Sequence, residues 1–146
     1  MDTNHLHFMR RAIYLAKLGM ENDGGSFGAV IVKDGEIIAE GFNKVKALSD
    51  CTQHAELLVI QKACRKLEST TLEGCILYTS CEPCMMCLGA SYWAKFEKIY
   101  YGASAQQAKE YGYVYSNMFY NSDKGARHKE FKLEQLLANE ALAAWE

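Results

Sequence analysis

The chain has 146 residues, 49% of them hydrophobic and 23% charged, enough for one buried core and too balanced for a disordered or collagen-like polypeptide. Lys plus Arg number 16 against 18 for Asp plus Glu, a formal charge of −2, which disfavours indiscriminate polyphosphate binding; no apolar run approaches the ~18 residues of a membrane span. The opening Met1-Asp2-Thr3-Asn4-His5-Leu6-His7 has neither the basic nor the apolar region of a secretion signal. The six cysteines therefore point to metal or thiol chemistry in a reducing cytoplasm before disulfides.

Leu6, Met9, Ile13, Ala16 and Met20 recur at helical spacing and predict a first helix over residues 6–20, with Gly19 near its stop. A glycine-rich polar loop over 21–28 follows. Two β-rich runs, 29–33 and 36–40, flank Asp34-Gly35, the strongest short hairpin signal. A second helix is expected over 53–67, a strand over 75–79, a third helix opened by Pro83 and running to Ala94, and a fourth strand over 98–102. Residues 103–120 are tyrosine-rich and ambiguous. Residues 121–129 predict a polar loop, and 131–145 a short strand followed by a helix. No repeat or linker divides the chain. A hairpin followed by alternating helices and strands implies one domain over 1–146, an α/β fold: a three-layer α/β/α sandwich around a mixed five-stranded sheet.

Two clusters carry chemistry. His54-Ala55-Glu56 begins the second helix, and Cys81-Glu82-Pro83-Cys84-Met85-Met86-Cys87 begins the third. A His, two Cys and a nearby Glu make an open zinc site, with three protein ligands and one place for water. Residues i and i+2 lie about 200° apart around a regular helix, so His54 and Glu56 converge only if the helix end points at the metal. Pro83 at the first helical position would place Cys84 and Cys87 in the first two turns, where the helix N-terminus favours thiolate. Two thiolates and a neutral His54 cancel the charge of zinc, and a neutral centre benefits from a base. Glu56 is the candidate, able to take a proton from water and return it to a leaving amine. Competing readings are a redox Cys-x-x-Cys pair, a closed structural zinc site with Cys81 as fourth ligand, and inert buried cysteines. Cys64 and Cys75 read as core. Cys51 is a loop residue near the site.

His-x-Glu followed by Pro-Cys-x-x-Cys is the signature of zinc nucleobase deaminases, present here as His54-Ala55-Glu56 and Pro83-Cys84-Met85-Met86-Cys87. The chain resembles the cytidine deaminase-like superfamily over nearly its whole length. The likeness is closest to bacterial guanine deaminases, through residues 24–35, 38–41, 76–84, 86–90 and Tyr92-Trp93-Ala94. tRNA adenosine deaminases share the metal motif, Asn43 and Asp50, but typically carry Leu where Cys81 stands. The resemblance implies zinc on His54, Cys84 and Cys87 and proton transfer by Glu56. It implies a base hydrogen-bonded by Asn43, stacked on Phe27, and fixed by the backbone N–H groups of Ala55 and Cys84; an amide reads donor and acceptor edges and an aromatic face supplies stacking area. On the residues alone, Phe27 also reads as core beneath the loop and Asn43 as a turn residue.

The implied reaction is hydrolytic deamination of a small purine base, with guanine giving xanthine. The alternatives are tRNA adenosine, guanosine, cytosine or an aminotriazine such as ammeline, and, from another class, a non-catalytic zinc or redox module. A tRNA substrate would need a phosphate footprint, for which Lys124, Arg127, Lys129 and Lys132 are the candidates. The superfamily likeness also implies a homodimer, with 121–129 as a hinge for C-terminal exchange. The chain departs from its likeness in Asp50-Cys51-Thr52, where Asp-Pro-Thr is usual, and in Val114-Tyr115 after Gly112-Tyr113, where the guanine deaminases carry an acidic pair. Trp145 stands near the end of the chain as a candidate cap on the pocket.

Overall fold

The computed structural model describes residues 3–22 and 25–146; Met1 and Asp2, and Asp23 and Gly24 of the predicted loop, lie outside them. Helix α1 (Thr3–Glu21) leads into strands β1 (Gly28–Lys33) and β2 (Glu36–Phe42). Between the strands, Asp34 and Gly35 both take positive φ, 51° and 80°, as a two-residue type I′ turn requires. A short α2 (Val45–Leu48) precedes α3 (Ala55–Leu67), β3 (Cys75–Cys81), α4 (Met85–Ala94) and β4 (Lys98–Ala103). The remainder forms α5 (Ala105–Glu110), α6 (Asn117–Asn121), α7 (Lys124–Glu130), β5 (Leu133–Gln135) and α8 (Ala138–Ala143).

The five strands lie in the order β2-β1-β3-β4-β5. β1 is antiparallel to both β2 and β3, whereas β3, β4 and β5 are mutually parallel neighbours. Alternate residues of β1 face opposite layers, as the two-residue period of a strand dictates. Ala29 and Ile31 pack with Ala55, Val59, Ala63 and Leu88 from α3 and α4. Val30 and Val32 pack with Met9, Ala12, Ile13 and Ala16 from α1. Two apolar layers on one mixed sheet give the expected sandwich.

Two expectations change and one ambiguity resolves. Residues 121–129 are not an open loop: Asp123 caps α7 by accepting from Ala126 N–H at 3.2 Å, and the segment was unreadable because α7 buries no residue fully and so has no apolar period. The ambiguous stretch holds two short helices, one with a Ser104–Gln107 capping box and one capped by Ser116. Pro83 lies just outside α4, whose N-cap is Cys84.

This topology gathers the chemistry at one edge. Because β1 and β3 run antiparallel, Phe27, just before β1, and Cys81, the end of β3, share that edge, and Cys81 is in register with Ala103 at the end of β4.

Candidate active site

His54 is the N-cap of α3, with extended φ/ψ of −65° and 154°, and Cys84 is the N-cap of α4 at −74° and 179°. Extended caps let both side chains leave the helix axis, so His54 escapes the angular conflict with Glu56 that a regular helix imposes. Cys87, three residues on, is fully buried. His54 Nδ1 lies 3.5 Å from Cys84 Sγ and 3.6 Å from Cys87 Sγ, and the three ligand atoms all lie within 4.8 Å of one another.

The donor set fits zinc. A sulfur bound at about 2.3 Å and a nitrogen at about 2.0 Å on a tetrahedral ion stand roughly 3.5 Å apart, which is the spacing found from His54 to each cysteine. Thiolate and imidazole are donors that zinc prefers. Cys81 stands outside the group; its Sγ contacts the Tyr115 hydroxyl at 3.1 Å, and burial holds its thiol well above the usual range. The closed four-ligand arrangement is therefore not the one formed.

Electrostatics divide the roles. Hydrogen bonding from Cys87 first, and from His54 next, draws Cys84 down to about 4, while the same bond to Cys84, with burial, holds Cys87 protonated. The hydrogen bond to Cys84 also raises His54. Glu56 is 6% exposed; burial, helped by the charge of Cys84, pushes its carboxyl up to about 7. Both ligand helices point their positive N-terminal ends at this cluster.

A chamber of about 60 Å³ opens against these groups, lined by Phe27, Asn43, His54, Glu56, Cys81, Cys84 and Tyr115. Five of the expected site residues thus meet in one place. Asn43 is both a turn and a lining residue: its Oδ1 accepts from Val45 N–H at 3.0 Å, and its NH₂ carries the donors that a ligand in the chamber would use. A Cβ on Gly25 would come within 2.5 Å of Asn43 Cγ, so a glycine there gives the amide its room. Ala55, buried at the first position of α3, presents an N–H with no acceptor inside its helix. Trp145 does not line the chamber. Its Nε1 donates to Ser26 O at 2.8 Å, and its ring backs Phe27 at 5.7 Å and Tyr113 at 4.9 Å. Cys51 is exposed and outside the lining.

Three residues take roles here that the sequence did not assign them. Cys81 and Tyr115 are chamber walls, and Tyr115 donates from its hydroxyl to Glu82 O. Glu82, 2% exposed, accepts from Ala105 N–H at 2.9 Å, Arg127 Nη2 at 3.1 Å and His128 Nε2 at 3.0 Å. The signal for Tyr115 lay in its replacing an acidic position; for Glu82, nothing local marks it. Arg127 is thereby removed from the basic footprint, its side chain being only 12% exposed.

Residues 2–103 match the family described as the cytidine and deoxycytidylate deaminase zinc-binding region. The chain is 46% identical over 144 residues to a guanine deaminase of Bacillus subtilis (strain 168), covering 98% of this chain and 92% of that one. A crystal structure of guanine deaminase from Bacillus subtilis superposes with a TM-score of 0.78 at 51% identity, covering 82% of this chain and 77% of that one. A tRNA-specific adenosine deaminase of Aquifex aeolicus is 44% identical over 97 residues, 66% of this chain and 64% of that one.

Proposed function

The chain belongs to the cytidine and deoxycytidylate deaminase zinc-binding family, and from that premise we propose that it hydrolyses the amino group of a purine base, guanine first, giving xanthine and ammonia. The observation that carries this reading is a buried carboxylate, Glu56, lining the same small chamber as three converging ligand atoms. The near full-length likeness to a guanine deaminase supports the choice of base.

His54, Cys84 and Cys87 would hold zinc, which when bound supplies the Lewis acidity that makes water a nucleophile near neutral pH. Glu56 moves the protons. As the new C–O bond forms at the amine-bearing carbon, its carboxylate takes a proton from the attacking water and passes it to the adjacent ring nitrogen. It then carries the second proton, from the new hydroxyl, to the amine, which leaves as ammonia while the carbonyl forms. Asn43 donates to a ring acceptor, Phe27 supplies the stacking face, and the N–H groups of Ala55 and Cys84 orient the base and the developing oxygen charge.

The working unit is one deaminase domain over residues 1–146, acting in the cytoplasm on a free purine and assembling as a homodimer. The dimer is supported by Tyr92 and Trp93, 51% and 71% exposed on α4, an apolar pair that a partner would cover. C-terminal exchange between copies would carry the Arg127 and His128 contacts to Glu82 across the interface. tRNA adenosine is the weaker substrate, because Arg127 faces inward and the basic footprint is broken. The test is ammonia release from guanine by the zinc-loaded protein. Turnover with xanthine as product supports the reading; silence with one zinc bound per chain removes guanine.

A further inference from the structure

Glu82 stands between a metal ligand and a chamber wall, and every polar atom it has is held. It is buried and lies two residues before Cys84. Its N–H donates to Ala103 O at 2.8 Å, and its carbonyl accepts from the Tyr115 hydroxyl. One carboxylate oxygen, Oε1, accepts from Ala105 N–H at 2.9 Å; the other, Oε2, meets Arg127 Nη2 at 3.1 Å and His128 Nε2 at 3.0 Å. Pro83 follows, buried and with its φ fixed by its ring, so a displacement of Glu82 is passed on to Cys84.

Arg127 closes this arrangement from α7. Its guanidinium carbon lies 4.1 Å from the centre of the Phe119 ring, and its Nη1 donates to Ser122 Oγ at 2.8 Å. The Phe119 ring in turn meets the Tyr115 ring edge-on at 5.0 Å. Arg127, Glu82, Tyr115 and Phe119 therefore form a closed circuit of contacts: ion pair, hydrogen bond, ring edge and cation–π. One corner adjoins Cys84, and another, Tyr115, lines the chamber with Glu56. No member of such a circuit can move without breaking two contacts.

The ion pair is a poor device for stability alone. Both charges are taken out of water, and Arg127 Nε is buried without a hydrogen-bond partner in the protein. Apolar side chains of like volume often match or exceed a buried ion pair in stability, and an unpartnered buried donor adds to its cost. What the pair supplies, and apolar side chains do not, is direction. Nη1 and Nη2 fix the guanidinium between Ser122 Oγ and Glu82 Oε2, and Glu82 thereby orients the turn that bears Cys84.

Resting on the deaminase reading above, we propose that Arg127 is a positioning residue for the reaction: through Glu82 it holds the turn that presents Cys84 and steadies the Tyr115 wall. Metal retention and turnover then depend on a side chain of α7 that lies outside the chamber lining. The decisive variant is the double Glu82→Gln, Arg127→Met, which removes both charges at once and strands neither. In the full chain it should keep or raise the midpoint in urea. It should nonetheless release zinc to a chromophoric chelator about 10–100-fold faster than the parent, with kcat for guanine lowered by a similar factor. The thiolate absorption of the Co²⁺-loaded chain should shift in the same variant. Arg127→Lys, which keeps a cation beside Glu82 and loses the planar fork, should fall between the two.

Parental zinc release and an unchanged cobalt spectrum in the double variant would overturn the inference and leave the deaminase reading standing, whatever the midpoint in urea. A lowered midpoint with those two readouts unmoved would make the pair a structural tether only. Faster zinc release from the variant, with a parent silent on guanine, would support the positioning role and remove guanine. A parent that holds no zinc would overturn both. If the double variant does not fold, Arg127→Lys decides alone: zinc release at the parental rate would overturn the inference, and faster release would support it.

Discussion

A buried carboxylate beside a thiolate is costly unless it keeps a proton, and Glu56 shows the result: a carboxyl raised to about 7 by burial and by Cys84, poised both to take and to give protons at neutral pH. Glu56→Gln keeps the shape and removes that capacity. Its kcat should fall by about 10²–10⁴-fold while zinc content by metal analysis stays that of the parent; parallel loss of metal would mean that Glu56 supports the site and not the chemistry. The ligands yield a second expectation. Cys87 is held protonated by its bond to Cys84, so a cation must expel that proton on binding. Metal affinity should therefore rise with pH by at least about one log unit per pH unit between pH 6 and 8, and fall as acid restores the proton. Competition with a chromophoric chelator at several pH values measures the slope, and a flat profile would refute it.

Among the elements, those with an apolar period were legible and those without one were not. The hairpin, α1, α3, β3, α4 and β4 could be placed from apolar spacing, Asp34-Gly35 and the two motif clusters. α2, α5, α6 and α7 are four to seven residues long and are set by caps and tertiary contacts, which a periodic reading does not register. α7 shows this best. It is held by Arg127 and His128 on Glu82, residues 45 and 46 positions away in the chain. Glu82→Ala strands the Arg127 charge in a buried place and should cost about 3–5 kcal/mol, read as a lowered midpoint in urea. Adding Arg127→Met should recover part of that loss; an additive double variant would mean that the pair does not act together.

At the scale of the molecule, the meeting of His54, Cys84 and Cys87 beside Glu56 was readable from residue types and spacing, because both motifs sit at helix starts that the sheet brings to one edge. Two further walls of the pocket were not, since Tyr115 and Cys81 meet through the pairing of β3 with β4 and the return of residues 111–116. The exposed face of α4 belongs to this scale also. If Tyr92 and Trp93 are covered by a second copy, Trp93→Glu should shift the sedimentation coefficient from that of a dimer to that of a monomer at micromolar concentration; an unchanged coefficient would place the interface elsewhere.

The bond from Trp145 Nε1 to Ser26 O spans 119 positions of the chain, and it anchors the aromatic backing of Phe27. On a ribosome, every strand and helix that carries His54, Cys84 and Cys87 emerges long before that indole does. Contacts of such separation form late, after the local and intermediate ones have reduced the entropy of closure. Folding thus has a built-in order: the segments that carry His54, Cys84 and Cys87 can assemble first, and Phe27 gains its aromatic backing only when α8 and Trp145 dock.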